Sequence, residues 1–187
     1  WTEDVWGSDI PAIEKLQEIN LHGRRRNRVS FNNPHHRNFP LDLFEDSVRH
    51  CDVDGIMWGS ECHGTLGNAL GLSHGGAGDP GRVGCFGSYC EEKCKRLGRF
   101  DLQQVKRGYL KLDRSMRAAR GGERPADGYF VGLLRLRMRY PEILAWEQFF
   151  HTSPREVYRI LRDHVRSIKP RMLIGWHIWH NNSSSPF

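Results

Sequence analysis

Asp52-Val53-Asp54-Gly55-Ile56-Met57-Trp58-Gly59-Ser60-Glu61-Cys62-His63 is the stretch whose reading decides the fold. It begins as a short apolar run, loses bulk at Gly55 and Gly59, and ends in an acid close to a histidine. Read as a strand over 53–61, alternation puts Val53, Gly55, Met57, Gly59 and Glu61 on one face. Ile56 and Trp58 fall on the other face, suited to packing against helices. A strand that delivers a carboxylate at its C-terminal end is how parallel α/β folds build active sites. The competing reading is that Glu61 caps the following loop or pairs with an arginine.

A second stretch has the same layout. Met172-Leu173-Ile174-Gly175-Trp176-His177-Ile178-Trp179-His180 reads as a strand with Leu173, Gly175, His177 and Trp179 on one face. Ile174, Trp176 and Ile178 share the other, and Asn181 and Asn182 open a loop. Two such strands separated by helices predict a parallel sheet with its site at one end. Glu61, His63, His177 and His180 would gather there, with Trp179 placed to stack on a sugar ring and Asn181 beside them. Asp4 and Asp9 near the start are further acids of this kind, although loop solvation explains both. His177 has a plainer reading as a hydrogen-bonded core histidine.

Between these strands the pattern is mostly helical. Asn33-Pro34 is a helix start, with asparagine as N-cap and proline in the first turn. Phe39, Leu43, Phe44 and Val48 carry the stripe to an end near His50, and Pro40 predicts a break or kink. Residues 62–84 form a long glycine-rich excursion without a phosphate-binding glycine fingerprint. Asp101 caps a helix over 101–119 that Gly121-Gly122 ends. Asp127 caps another. Tyr140-Pro141 starts a short apolar helix, and Ser153-Pro154-Arg155-Glu156 reads as a capping box opening a separate one. Residues 12–31 are poorly patterned and read as loop with at most one helical turn.

The 187 residues suffice for one domain with a buried core. The start at Trp1 and the end at Phe187 lead us to expect a piece of a longer domain. The net charge of +6 rests on 28 Lys and Arg, most of them arginine and scattered over helix faces. The one dense run, Arg24-Arg25-Arg26-Asn27-Arg28, reads as a solvated loop rather than a phosphate track. No apolar run is long enough to span a membrane. Five cysteines argue against a complete disulfide framework. Cys85, Cys90 and Cys94, with Cys62 upstream, could supply a structural zinc site, although the loose spacing favours free, partly buried thiols.

Several segments carry a resemblance to a known family. They are Asn33-Pro34-x-x-Arg37-Asn38-Phe39, Val53 to Glu61, Tyr140 to Glu147, Ile168-Lys169-Pro170 and Ile174 to His180. Together they resemble the hypothetical glycoside-hydrolase-like TIM barrels of bacteria. The resemblance implies an α/β fold, a partial (β/α)8 TIM barrel of which this chain holds the middle strands. It implies a carbohydrate substrate and Glu61 as a catalytic carboxylate; no cofactor is called for, and the partner acid, not evident among these residues, is expected beyond residue 187. Cys85-Phe86-Gly87-Ser88-Tyr89-Cys90 looks like a zinc-holding segment of some β-galactosidase-like barrels, with Gly87 standing where a middle cysteine would be.

The leading expectation is therefore a glycoside hydrolase with Glu61 catalytic and His63, His177, Trp179, His180 and Asn181 contacting sugar. Two alternatives come from other classes. One is a non-catalytic carbohydrate-binding barrel. The other, less favoured, is a metal-stabilised nucleic-acid-binding domain using Arg24, Arg25, Arg26 and the cysteines.

Overall fold

The computed structural model describes residues 2–3, 11–59, 65–66, 83–98, 100–122 and 128–177. Asn33 starts α1 (Pro34–His50) as read from the sequence: its Oδ1 accepts the His35 amide at 3.0 Å, and Pro34 occupies the first turn. Pro40 lies inside this helix without ending it. One face of α1 buries Phe44 and Val48.

A parallel sheet of three short strands lies against α1. Its strands are β1 (Thr2–Glu3), β4 (Gly55–Gly59) and β5 (Leu173–His177), in the order β1-β4-β5. As the alternation predicts, Ile56, Trp58, Ile174 and Trp176 turn toward α1 and the C-terminal half of a long helix, α5 (Glu142–Ile168). Phe31, Phe44, Val48, Trp58, Val157, Leu161, Val165 and Met172 form this core. Trp58 stacks on Trp176 at 5.7 Å and meets Phe31 edge-on at 5.9 Å. Such aromatic pairs add about 1 kcal/mol each beyond the area they bury.

The partial (β/α)8 barrel is not what the structure holds. Among the described residues there are three parallel strands in one small open sheet and no eight-stranded barrel. A barrel alternates each strand with one helix laid on the sheet. Here the chain between β4 and β5 builds α2 (Ser88–Leu97), α3 (Leu102–Arg120), α4 (Gly128–Arg139) and α5. Much of that helical segment packs on itself instead of on the sheet. Its own core gathers Phe86, Cys90, Cys94, Val105, Tyr109, Leu112, Ile143, Trp146 and Phe149. Trp146 is fully buried and stacks on Phe86 at 4.8 Å.

Two local readings also change. Residues 12–31 hold an antiparallel hairpin, β2 (Gln17–Ile19) and β3 (Arg25–Val29). Asn20 Oδ1 closes it by accepting the His22 and Arg24 amides, both at 2.9 Å. The hairpin's pairing is masked in the sequence by Glu18 and Arg26, which sit across from each other as a part-buried ion pair at 2.7 Å. The second change is that Ser153-Pro154 starts no new helix. α5 runs through it unbroken, because the buried stripe from Ile143 to Val165 continues on both sides. Ser153 Oγ turns inward and donates to the Phe149 carbonyl at 3.3 Å.

α3 and α5 approach closely at Gly108. A Cβ there would come within 2.7 Å of Ile143 Cδ1 and 3.0 Å of Tyr140 Cβ. On an exposed helix, alanine in place of glycine gains about 1 kcal/mol. At this contact the overpacking reverses the sign. Gly108→Ala is expected to destabilise the fold by about 1–2 kcal/mol, read as a lowered melting temperature in thermal unfolding; an unchanged or raised value would show that the helices give way freely.

Candidate functional site

The pairing register brings three strand ends level. Glu3 of β1 pairs with Gly59 of β4, and Gly59 pairs with His177 of β5. Because all three strands run parallel, these positions mark one edge of the sheet, the C-terminal edge where open α/β sheets bind ligands. On the face away from the helices, Gly55 lies opposite Leu173 and Met57 opposite Gly175. A Cβ on Gly55 would stand 3.1 Å from Leu173 Cβ, and one on Gly175 would stand 3.7 Å from Met57 Cγ. Gly55, at the start of β4, and Gly175, in the middle of β5, thus make room for the neighbouring strand's side chain. Leu173 is 72% exposed on this face and Met57 43%.

Of the residues proposed from the sequence, the backbone of His177 is placed at this edge. Glu61, His63, Trp179, His180, Asn181, Cys62, Asp4 and Asp9 lie outside the described residues.

The chain after β4 is held by an acid to which sequence reasoning gave no role. Thr65 and Leu66 meet the carboxylate of Glu147 on α5. The Leu66 amide donates to Glu147 Oε1 at 3.0 Å and Oε2 at 2.9 Å. The Thr65 hydroxyl donates to Oε2, and the Tyr109 hydroxyl reaches the same oxygen at 3.2 Å. His151 Nε2 lies 3.5 Å from Oε1. Burial, and next the Glu147 charge, push the Tyr109 phenol well above its ordinary range, so it stays a donor. The signal available in the sequence was a charged residue inside the apolar run from Ile143 to Phe150, one turn after Ile143 on the inward face.

A second polar cluster ties the loop before α1 to α2 and α5. Lys93 Nζ donates to Glu156 Oε2 at 2.6 Å and to Asn32 Oδ1 at 3.0 Å. Arg37 Nη2 reaches Glu156 at 3.4 Å, and its Nε donates to the Phe31 carbonyl. His36 sits beside them, buried, its ring 5.6 Å from that of Phe31. Burial, with Arg37 adding to it, lowers its pKa from 6.5 to about 4.

The cysteines are partly brought together. Cys90 and Cys94 stand one turn apart on α2, and Cys85 lies just before it. Cys85 Sγ donates to Ser30 Oγ at 3.2 Å, the same hydroxyl lies 3.7 Å from Cys90 Sγ, and Asn32 Nδ2 donates to Cys90 Sγ at 3.1 Å. The hydrogen bond with Cys85, and next burial, push the Cys90 thiol well above its usual range. Burial pushes Cys94 up to about 12. Zinc takes thiolates. Among the described residues no three His, Cys, Asp or Glu gather to hold a metal. Cys85 goes the other way from Cys90 and Cys94, its thiol lowered chiefly by the hydrogen bond with Cys90, and Cys62, the fourth sulfur of the expected set, lies outside the described residues; no chemistry is derived through a metal.

The His36 environment fixes a pH response. Above pH 6.5 its imidazole is neutral in both folded and unfolded chains. As pH falls from 6.5 to about 4, the unfolded chain takes up a proton that the folded chain refuses. This group alone then costs about 3 kcal/mol of stability across that window. Chemical denaturation of the protein between pH 7 and 4 should show that loss, and His36→Gln should remove most of it; a slope that His36→Gln leaves unchanged would assign it elsewhere.

No family model, curated protein or solved structure matches this chain, so the reading of its function rests on sequence and geometry.

Proposed function

We propose that the level ends of β1, β4 and β5 form the base of a carbohydrate-processing site, at which Glu61 is a catalytic carboxylate in hydrolysis of a glycosidic bond. One observation carries this reading. The register sets Gly59 beside His177 and Glu3 at one sheet edge, and the sequence delivers Glu61 two positions beyond Gly59. The residues that follow His177, namely Trp179, His180 and Asn181, supply an aromatic face and hydrogen-bonding groups of the kind that hold sugars.

The chemistry needs two carboxyl groups flanking the scissile bond. One protonates the departing oxygen while the other attacks the anomeric carbon or activates water, and their separation sets the stereochemical outcome. Glu61 fills one role. Glu3 stands at the same edge on β1 and is the first acid to test as its partner. His63, His177 and His180 would hold sugar hydroxyls. A carbohydrate-binding protein without catalysis would keep these contacts and lose only the carboxylate chemistry.

Glu61→Gln is isosteric and removes the acid alone. Against a panel of chromogenic glycosides it should lower kcat by roughly 10²- to 10⁴-fold with an unchanged melting temperature. Wild-type turnover in that variant would remove Glu61 from the mechanism. Saccharide binding without turnover by the wild-type protein would support the non-catalytic reading.

A further inference from the structure

The cations that look scattered along the sequence are gathered by the fold. α3 and α4 together carry nine Lys and Arg against a single acid, Asp113. That excess is larger than the net +6 of the whole chain, so the remainder is net negative. Between the two helices runs a groove of about 440 Å³. Lys111 and Arg114 line it from α3, Arg135 and Arg139 from α4, and all four are exposed. Helix geometry explains the arrangement. Lys111, Arg114 and Ala118 recur at three- and four-residue spacing, as do Gly132, Arg135 and Arg139, so each set forms one stripe facing the other. Ala118 and Gly132 keep the floor open, and a Cβ on Gly132 would meet nothing within 4 Å.

Among the described residues none of the four cations has an acidic partner, whereas Asp113 is taken by Arg117 at 2.9 Å. Four like charges facing one groove repel each other and raise the local potential for anions. Three are arginines, whose planar forks match the oxygens of sulfate, carboxylate and phosphate.

We infer that the α3–α4 groove binds an anionic saccharide chain bearing sulfate or carboxylate groups. The inference rests on the carbohydrate-processing reading and names the charge class of the sugar. Its lining favours such a chain over single-stranded nucleic acid, which binds through successive aromatic platforms for stacked bases. Among the described residues its lining holds one aromatic, Tyr140, with Leu136 beside it to meet a sugar's apolar face. The exposed apolar residues Val131, Leu134 and Met138 lie on the adjoining stripe of α4, outside the lining.

The test is equilibrium binding of a heparin hexasaccharide and an oligogalacturonate, with a neutral cello-oligosaccharide, a deoxythymidine decamer and phosphatidylserine vesicles as comparison arms. The full chain should bind at least one anionic saccharide in preference to the other three, more weakly as salt rises. Lys111→Gln with Arg114→Gln should weaken it at least tenfold, and so should Arg135→Gln with Arg139→Gln. Each pair sits on one exposed wall, so either alone suffices if the other fails to fold. Arg24→Gln with Arg25→Gln, on the hairpin, should change affinity less than twofold.

The inference is overturned if both groove pairs bind like wild type, if the hairpin pair loses as much, or if neither saccharide binds. Preference for the decamer or the vesicles overturns it too. Glu61→Gln separates the two readings. It should bind the anionic saccharide normally, so normal turnover in that variant would count against the catalytic assignment while groove binding is judged by the groove variants.

Discussion

The interaction on which the rest of the structure depends is the burial of one continuous stripe of α5. Its 27 residues extend about 40 Å, and the two halves of the stripe belong to different cores. Ile143, Trp146 and Phe149 enter the helical core with Phe86, Val105 and Tyr109. Val157, Leu161 and Val165 enter the core under the sheet, against Trp58 and Phe44. A single rigid rod shared by both makes their relative placement a property of one helix. Pro154 lies at the junction and would ordinarily break it. Packing on both sides is the larger effect, and the helix continues.

Two carboxylates on opposite sides of that rod extend its reach to the loops. Glu147 gathers Thr65, Leu66 and Tyr109, and Glu156 gathers Lys93 and Arg37. A buried carboxylate is tolerated only where hydrogen bonds replace the water it loses. Glu147 meets that condition with a backbone amide and two hydroxyls. It therefore fixes the chain soon after the sheet edge at which β4 ends.

The sheet is small and covered by helices on one face, with Leu173 and Met57 exposed on the other. Its glycines are complementary across the strands, each making room for the partner strand's side chain. The level ends of β1, β4 and β5 follow from the register of the parallel pairing and hold whatever reaction the edge supports.

The sequence by itself determined the elements whose causes are local. α1 followed from Asn33 and Pro34, α3 from Asp101 and its period, and β4 and β5 from alternation around Gly55 and Gly175. The helix-facing side of both strands followed too, since Trp58 and Trp176 could go nowhere else. Glu61 was legible as a candidate because a carboxylate after an apolar strand is unusual. What only the tertiary structure decided depends on partners far away in the chain. The β2–β3 hairpin was hidden because Glu18 and Arg26 neutralise each other across it. The barrel implied by resemblance gave way to a three-stranded sheet because α2 to α5 found a core of their own. The role of Glu147 and the gathering of cations between α3 and α4 were invisible for the same reason: local spacing gives the face of a helix, and only packing says what that face meets.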